Sequence, residues 1–415
     1  MECITSIKLT TFVLSISVWH VANAQTLHGA GDYRENYNQN FETKSLSLDF
    51  REKNKKSIDL IANTKKQIGL PPLSAPIDNP LTEEKALLGK KLFFDKRLSL
   101  NNTLSCAMCH IPEQGFGSYE LKTSVGLEGR SLKRNAPTLY NIAFMKKLFH
   151  DAREDSLEWQ VWSPLLKKNE MANPSFSYLV NKLNNIDKYK TAFETVFPDE
   201  GISVVNIGKA IASYERTLSS ASSKFDQWFY SNEKEALSKE QKKGYELFVG
   251  KAGCVSCHVV GQDFAVFSDQ ALHNTGVGFK QSMHSDEDTI RVQISPGEYA
   301  DIEKKIIDSV SGVIENDLGL YEITQDPKDR WKYRTPTLRN IAITAPYMHN
   351  GSLLSLKDVV NFYNNGGVEN PLLSPLIKPL NLTKQEKNQL IEFLKSLTGS
   401  NVNQLIADAF DHENI

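Results

Sequence analysis

The sequence predicts a mostly α fold built from one module used twice, with long loops inside each copy. Three observations predict it. The pattern Cys-x-x-Cys-His occurs at Cys106–His110 and again at Cys254–His258. The residues flanking the two patterns resemble each other. Segments with helix-start signals alternate with loops rich in Gly, Asn, Ser and Pro, and little of the chain reads as strand.

The N-terminus comes first. Lys8 precedes an apolar run from Thr10 to Val21, followed by Ala22-Asn23-Ala24. A short apolar run before a small-x-small triplet reads as a secretory signal peptide, residues 1–24, cut before Gln25. The run is short for a membrane span. Residues 25–79 form an N-terminal arm, polar up to about Lys66 and read as extended or partly disordered. The whole chain has 415 residues, 40% of them hydrophobic and 24% charged, with a net charge of -2. That suits a soluble protein with two or three domains and gives no bulk argument for binding nucleic acid.

Five cysteines are present, and Cys3 leaves with the signal. The other four, Cys106, Cys109, Cys254 and Cys257, all belong to the two patterns. Cys-x-x-Cys-His is the attachment signature of c-type haem: both thiols add to the porphyrin vinyls and the neighbouring histidine reaches the iron. A thioredoxin-like redox pair does not need the histidine. A zinc site would gather all four thiols into one cluster, which their wide separation permits without suggesting. Two cytochrome c-like haem domains are therefore expected, at 80–230 and 231–400, with a C-terminal tail at 401–415.

The flanks support the duplication. Leu81-Thr82-Glu83-Glu84 and "GKKLFFD" precede the first motif; Leu237-Ser238-Lys239-Glu240 and "GYELFVG" precede the second. "RNAPTLYNIAF" follows the first and "RTPTLRNIAIT" the second. Thr82 can cap a helix, and Ser238 with Gln241 makes a capping box. A third capped helix starts at Thr383 with Glu386. It carries Leu390, Ile391, Leu394 and Leu397 on one stripe and closes at Gly399.

Over about Pro80 to Gly399 these motifs, with "RTPTLRNIAITAPYMHNG" and "LKSLTG", resemble the bacterial di-haem cytochrome c peroxidase family, which includes the MauG-type enzymes. The resemblance implies two covalently attached haem c groups, with His110 and His258 as proximal ligands. The first haem would face hydrogen peroxide and the second would store or relay an electron. Other members cap the first iron with a loop histidine. Here "TSVGLEGR" puts Leu127 at that position, so an open first haem is expected. Gln160, Pro164 and Glu170 match the family's distal pocket, where Glu170 would shuttle a proton and Gln160 would orient peroxide or water. A surface Glu170 and a backbone-binding Gln160 are the plainer alternatives.

At Tyr363 other members carry methionine as the second haem's sixth ligand. A phenolate donates charge and favours higher oxidation states. That is the MauG pattern, in which the haems share two oxidising equivalents as a bis-Fe(IV) state. Core packing is the plain reading of Tyr363. The family's Phe-Trp-Asp-Gly-Arg between the haems is Phe149-His150-Asp151-Ala152-Arg153 here. His150 thus replaces the relay tryptophan, as a hydrogen-bonded link between propionates or a tunnelling intermediate. The resemblance also implies one calcium ion, held by the Asn135 side chain and the carbonyls of Thr344 and Pro346; Asn135 bonding a turn is the alternative. His349 is expected to be structural or close to a propionate.

The function implied first is peroxide-driven oxidation of a partner protein, as in relatives of the MbnH and CorB type that convert a tryptophan of a copper-binding partner to kynurenine. The partner would share the periplasm, with cell-surface association left open. A peroxide scavenger fed by a small cytochrome or cupredoxin is the alternative, and a plain electron carrier is a third.

Overall fold

The computed structural model describes residues 58–65, 67–119, 121–283, 289–295, 298–311 and 316–411. The signal peptide and residues 25–57 of the expected arm lie outside them. Among the described residues fifteen helices follow one another: α1 Leu60–Lys65, α2 Glu83–Phe94, α3 Leu157–Gln160, α4 Trp162–Leu166, α5 Phe176–Asn184, α6 Asp187–Val196, α7 Val204–Thr217, α8 Lys224–Tyr230, α9 Lys239–Val249, α10 Val277–Met283, α11 Lys304–Ser311, α12 Tyr321–Thr324, α13 Leu356–Asn364, α14 Lys384–Lys395 and α15 Val402–Ala409. Strands are few. β1 Leu272–His273 pairs antiparallel with β4 Tyr333–Arg334, and β2 Thr289–Ser295 pairs with β3 Glu298–Glu303. The mostly α class is as expected. Among the described residues, no helix is long and apolar enough to cross a membrane.

The helix starts follow the local chemistry. Thr82 accepts from the Lys85 amide, and Ser238 with Gln241 and Thr383 with Glu386 form capping boxes. Two helix pairs then carry the fold. α2 lies against α7, and α9 against α14. Each pair meets at a glycine. A Cβ on Gly89 would lie 1.9 Å from the Ala210 carbonyl oxygen, and one on Gly244 would lie 2.0 Å from that of Gln389. These are the glycines of "GKKLFFD" and "GYELFVG", so the sequence repeat marks a repeated backbone contact. The two Pro-Thr-Leu segments also end alike: Asn141 (φ 63°) and Asn340 (φ 61°) are left-handed, and each opens a 3-10 turn.

The tail expected at 401–415 is corrected over Val402–Ala409. That segment is helix α15, and Leu405 and Ile406 are buried with Leu60, Phe93 and Tyr214. Lys90 and Asp408, both buried, pair at 3.0 Å. Helix α15 thus packs back onto the first half. The last part of the expected arm is also packed: Asn63 donates to the Ser219 carbonyl at 3.0 Å, and Asn401 to Asn63 Oδ1 at 2.8 Å.

Candidate functional site

The two Cys-x-x-Cys-His motifs fold alike. Cys106–Met108 and Cys254–Ser256 are 3-10 turns, and each histidine amide donates to the first cysteine's carbonyl at 2.9 Å. His110 Nδ1 lies 3.1 Å from the Phe116 carbonyl, and His258 Nδ1 lies 2.8 Å from that of Phe267. A carbonyl only accepts, so Nδ1 carries the proton and Nε2 keeps its lone pair for a metal. Both acceptor residues hold left-handed backbone, φ 52° and 55°. That is uncommon for phenylalanine, and here it aims the carbonyl at the ring.

The thiols do not form a zinc cluster. Cys106 packs in the cores of the first half and Cys254 in a separate core of the second. Burial pushes Cys109 and Cys257 up to about 11 and Cys254 to about 12. Neutral thiols beside an apolar space suit thioether attachment better than a thiolate-bound ion. Beside the first motif lies a solvent-open cavity of about 210 Å³, lined by Cys106, Cys109 and His110 among mostly apolar neighbours.

Gln160, Pro164, Glu170 and His150 all line this cavity together with His110. Gln160 ends α3, and Pro164 sits within α4. Glu170 is paired with Lys167 at 3.1 Å, and its carbonyl accepts from the Leu127 amide at 3.0 Å. Leu127 is buried but outside the cavity lining; its neighbour Gly126 lines the cavity instead.

At the second motif, Tyr363 sits on α13, one residue before the helix ends. Burial raises its phenol pKa, and Cys257 and Cys254 raise it further, so the hydroxyl lies close to this motif. Among the described residues the phenol oxygen makes no hydrogen bond. The ring of Phe362 meets that of Tyr363 edge-on at 5.2 Å. The donor set fits a haem: a histidine with a free Nε2 on the same motif as the two thiols, and an unbonded phenol near it.

Between the halves, His150 Nε2 lies 3.0 Å from the Asn135 carbonyl, and the His150 carbonyl accepts from Arg334 at 2.7 Å. Burial, helped by Arg134, holds the imidazole down to about 4, so it is neutral. Its one N–H is spent on Asn135. The other ring nitrogen, Nδ1, makes no hydrogen bond among the described residues. Arg134 binds Asp317 at 2.6 and 2.7 Å and Asp151 at 2.6 Å. His349 is buried and stacks on Tyr333 at 3.6 Å.

Asn135 Nδ2 donates to the carbonyls of Ser118 and Lys122 at 3.1 and 3.0 Å. Thr344 caps the 3-10 turn Ile341–Ile343, and Pro346 follows a cis bond to Ala345. The turn at Gly115 reaches this segment, since a Cβ there would lie 2.8 Å from the Ile343 carbonyl.

Sequence reasoning missed two cavity residues. Glu215 is 5% exposed, its Oε2 has no partner, and burial pushes its pKa up to about 8. Arg334 is 7% exposed, and its Nη1 has no partner. Nothing local marks Glu215 within "SYERT". Arg334 opens the second Pro-Thr-Leu segment as Arg134 opens the first, and that shared arginine was the available clue.

Residues 83–235 match the family Di-haem cytochrome c peroxidase. The chain is 39% identical over 337 residues to cytochrome-c peroxidase IdrP1 of Pseudomonas sp. (strain SCT), covering 80% of this chain and 85% of that one. It is 34% identical to the methylamine utilization protein MauG of Methylorubrum extorquens, covering 78% and 80%. A solved MauG-like protein associated with microbial copper homeostasis superposes with a TM-score of 0.65 at 31% identity, covering 80% and 95%.

Proposed function

We propose, because this chain belongs to the bacterial di-haem cytochrome c peroxidase family that includes the MauG enzymes, that it uses hydrogen peroxide to oxidise an aromatic residue of a partner protein. The chain is a haem-dependent oxidoreductase of the peroxidase type. Haem at each motif would supply one-electron oxidation driven by peroxide, held by Cys106, Cys109 and His110 in one half and by Cys254, Cys257, His258 and Tyr363 in the other.

The chain's own residues have separable tasks. Glu170 takes the proton from the entering peroxide oxygen and returns it to the departing one. Gln160 holds the peroxide in place, and Pro164 and Met171 keep the wall near it apolar. Tyr363 would give the second site an oxygen ligand, which would favour the oxidised state over the reduced one. The single observation that carries the partner reading is that unbonded phenol beside the second motif. A calcium ion held by Asn135, Thr344 and Pro346 would pin the halves together. Export to the periplasm follows from the signal-like N-terminus.

The partner would be a protein of the same compartment, oxidised through long-range electron transfer. A tryptophan converted to kynurenine is the favoured product, and a copper-binding protein the favoured partner. The solved relative associated with copper homeostasis supports that choice. A second reading, reduction of peroxide to water with electrons from a small cytochrome or cupredoxin, is favoured by the relative called a cytochrome-c peroxidase.

Mixing the holoprotein with peroxide and candidate partner proteins separates the two. Mass spectrometry is expected to find added oxygen or crosslinks on partner aromatics. Fast turnover of a reduced cytochrome with every partner unmodified would sink the first reading in favour of the second.

A further inference from the structure

Arg334 carries a buried positive charge with an unused donor. Its Nε donates to the Phe149 carbonyl at 3.0 Å, and its Nη1 meets nothing. It lines the cavity beside the first motif although it comes from the second half of the chain. Burial brings its pKa down only to about 10, so it stays charged at neutral pH. The other cations at this cavity have carboxylates: Arg134 has Asp317 and Asp151, Arg153 has Asp151, Lys133 has Glu322 and Lys167 has Glu170.

A buried guanidinium without a counter-charge is strongly unfavourable. Among the described residues no carboxylate answers this one, so its partner belongs to whatever fills the cavity. A planar N–H fork matches a carboxylate best. We infer that Arg334 anchors a carboxylate of the group attached at Cys106 and Cys109, a porphyrin propionate. This rests on the haem reading above.

The position of Arg334 gives the anchor a second consequence. It sits on β4, where Leu272 of β1 is its partner and Tyr333 pairs with His273. His273 binds Asp269 at 2.7 Å, and the Asp269 amide donates to the Cys257 carbonyl at 2.7 Å. One two-residue ladder therefore ties the second attachment motif to the carboxylate at the first. His150 lies on the same path, with its Nε2 3.0 Å from the Asn135 carbonyl and its own carbonyl accepting from the Arg334 amide at 2.7 Å.

The test uses holoprotein with Arg334→Gln and Arg334→Lys. Haems are first counted by the pyridine haemochrome spectrum, then each midpoint potential is titrated. Removing a cation beside a propionate favours ferric iron, so Arg334→Gln is expected to lower the first haem's potential and to leave the second nearly unmoved. Arg334→Lys is expected to restore most of it. An unchanged first potential with both haems present overturns the inference, as does a larger shift at the second haem. A parent potential that moves on adding acetate would assign Arg334 to a free carboxylate and overturn the propionate assignment. If Arg334→Gln does not accumulate, resonance Raman of Arg334→Lys carries the test. Shifted propionate bending bands support the anchor, and unmoved bands overturn it. Parent protein without haem at the first motif would overturn this inference together with the haem reading.

Discussion

The amide of Leu127 donates to the carbonyl of Glu170 at 3.0 Å, so the loop after the first motif is fastened to the residue proposed above for proton transfer. The fastening depends on a missing side chain. A Cβ on Gly126 would lie 1.9 Å from the Asn169 carbonyl oxygen. Gly126→Ala must push the loop and residues 169–170 apart. Its expected result is a protein with both haems intact and a peroxide reaction slower by about tenfold or more, since small displacements of a reacting group are costly. Glu170→Gln, which removes the carboxylate outright, should cost roughly 10²-fold. Stopped-flow spectra after peroxide addition measure both. A Gly126→Ala rate equal to the parent's would mean that the loop does not position Glu170.

Arg134 is the shared cation of two buried carboxylates, Asp317 with a 0% exposed side chain and Asp151 with 3%. Arg153 also reaches Asp151 at 2.8 Å, so Asp317 depends most on Arg134. Arg134→Met strands that charge and is expected to destabilise the protein by about 3–5 kcal/mol. Arg134→Met with Asp317→Leu removes both charges and should recover much of the loss. Denaturant midpoints decide the matter: if the single variant matches the parent, the ion pair does not hold the halves together.

Acid should weaken the same region. Burial holds His150 down to about 4 and His349 to about 3. In the unfolded chain both titrate near 6.5. Between those values the unfolded state binds more protons, so stability rises with pH through the window and is lost as pH falls below about 6.5. Asp317, held ionised by Arg134, adds a further loss below its unfolded value of about 3.8. Thermal melts are expected to be flat above neutrality and to fall steeply on the acid side. His349→Phe keeps the stack on Tyr333 and removes one titrating group, so its acid slope should be shallower. An identical slope would place the acid sensitivity elsewhere.

The repeated parts were legible in the sequence because their causes are local. A Cys-x-x-Cys-His turn, a capping box and a glycine at a helix crossing each lie within a few residues, and each recurs. The distal residues were legible only through the family pattern, and the structure brings them to one cavity. What the sequence hid is made by distant partners. Arg134 finds Asp317, Arg334 reaches back to Phe149, and Lys90 finds Asp408 on a helix that read as tail. Glu215 owes its raised pKa to a surrounding core that no stretch of "SYERT" announces.

Tyr363 offers the sharpest separation between the two proposed reactions. Its hydroxyl lies near Cys254 and Cys257 and has no protein partner among the described residues, while the aromatic body is already packed by Phe362. With Tyr363 as the ligand proposed above, replacing it with methionine would exchange an oxygen ligand for a neutral thioether. Thioether ligation favours reduced iron, so the second haem's potential should rise and its oxidised forms become harder to reach. Partner oxidation should then fall while turnover of a reduced cytochrome persists. Tyr363→Phe removes the oxygen without replacing it and should leave the second haem with an altered ferric spectrum. If both variants show the parent spectrum, the phenol is a packing group, and the electron acceptor must be sought at the first cavity alone.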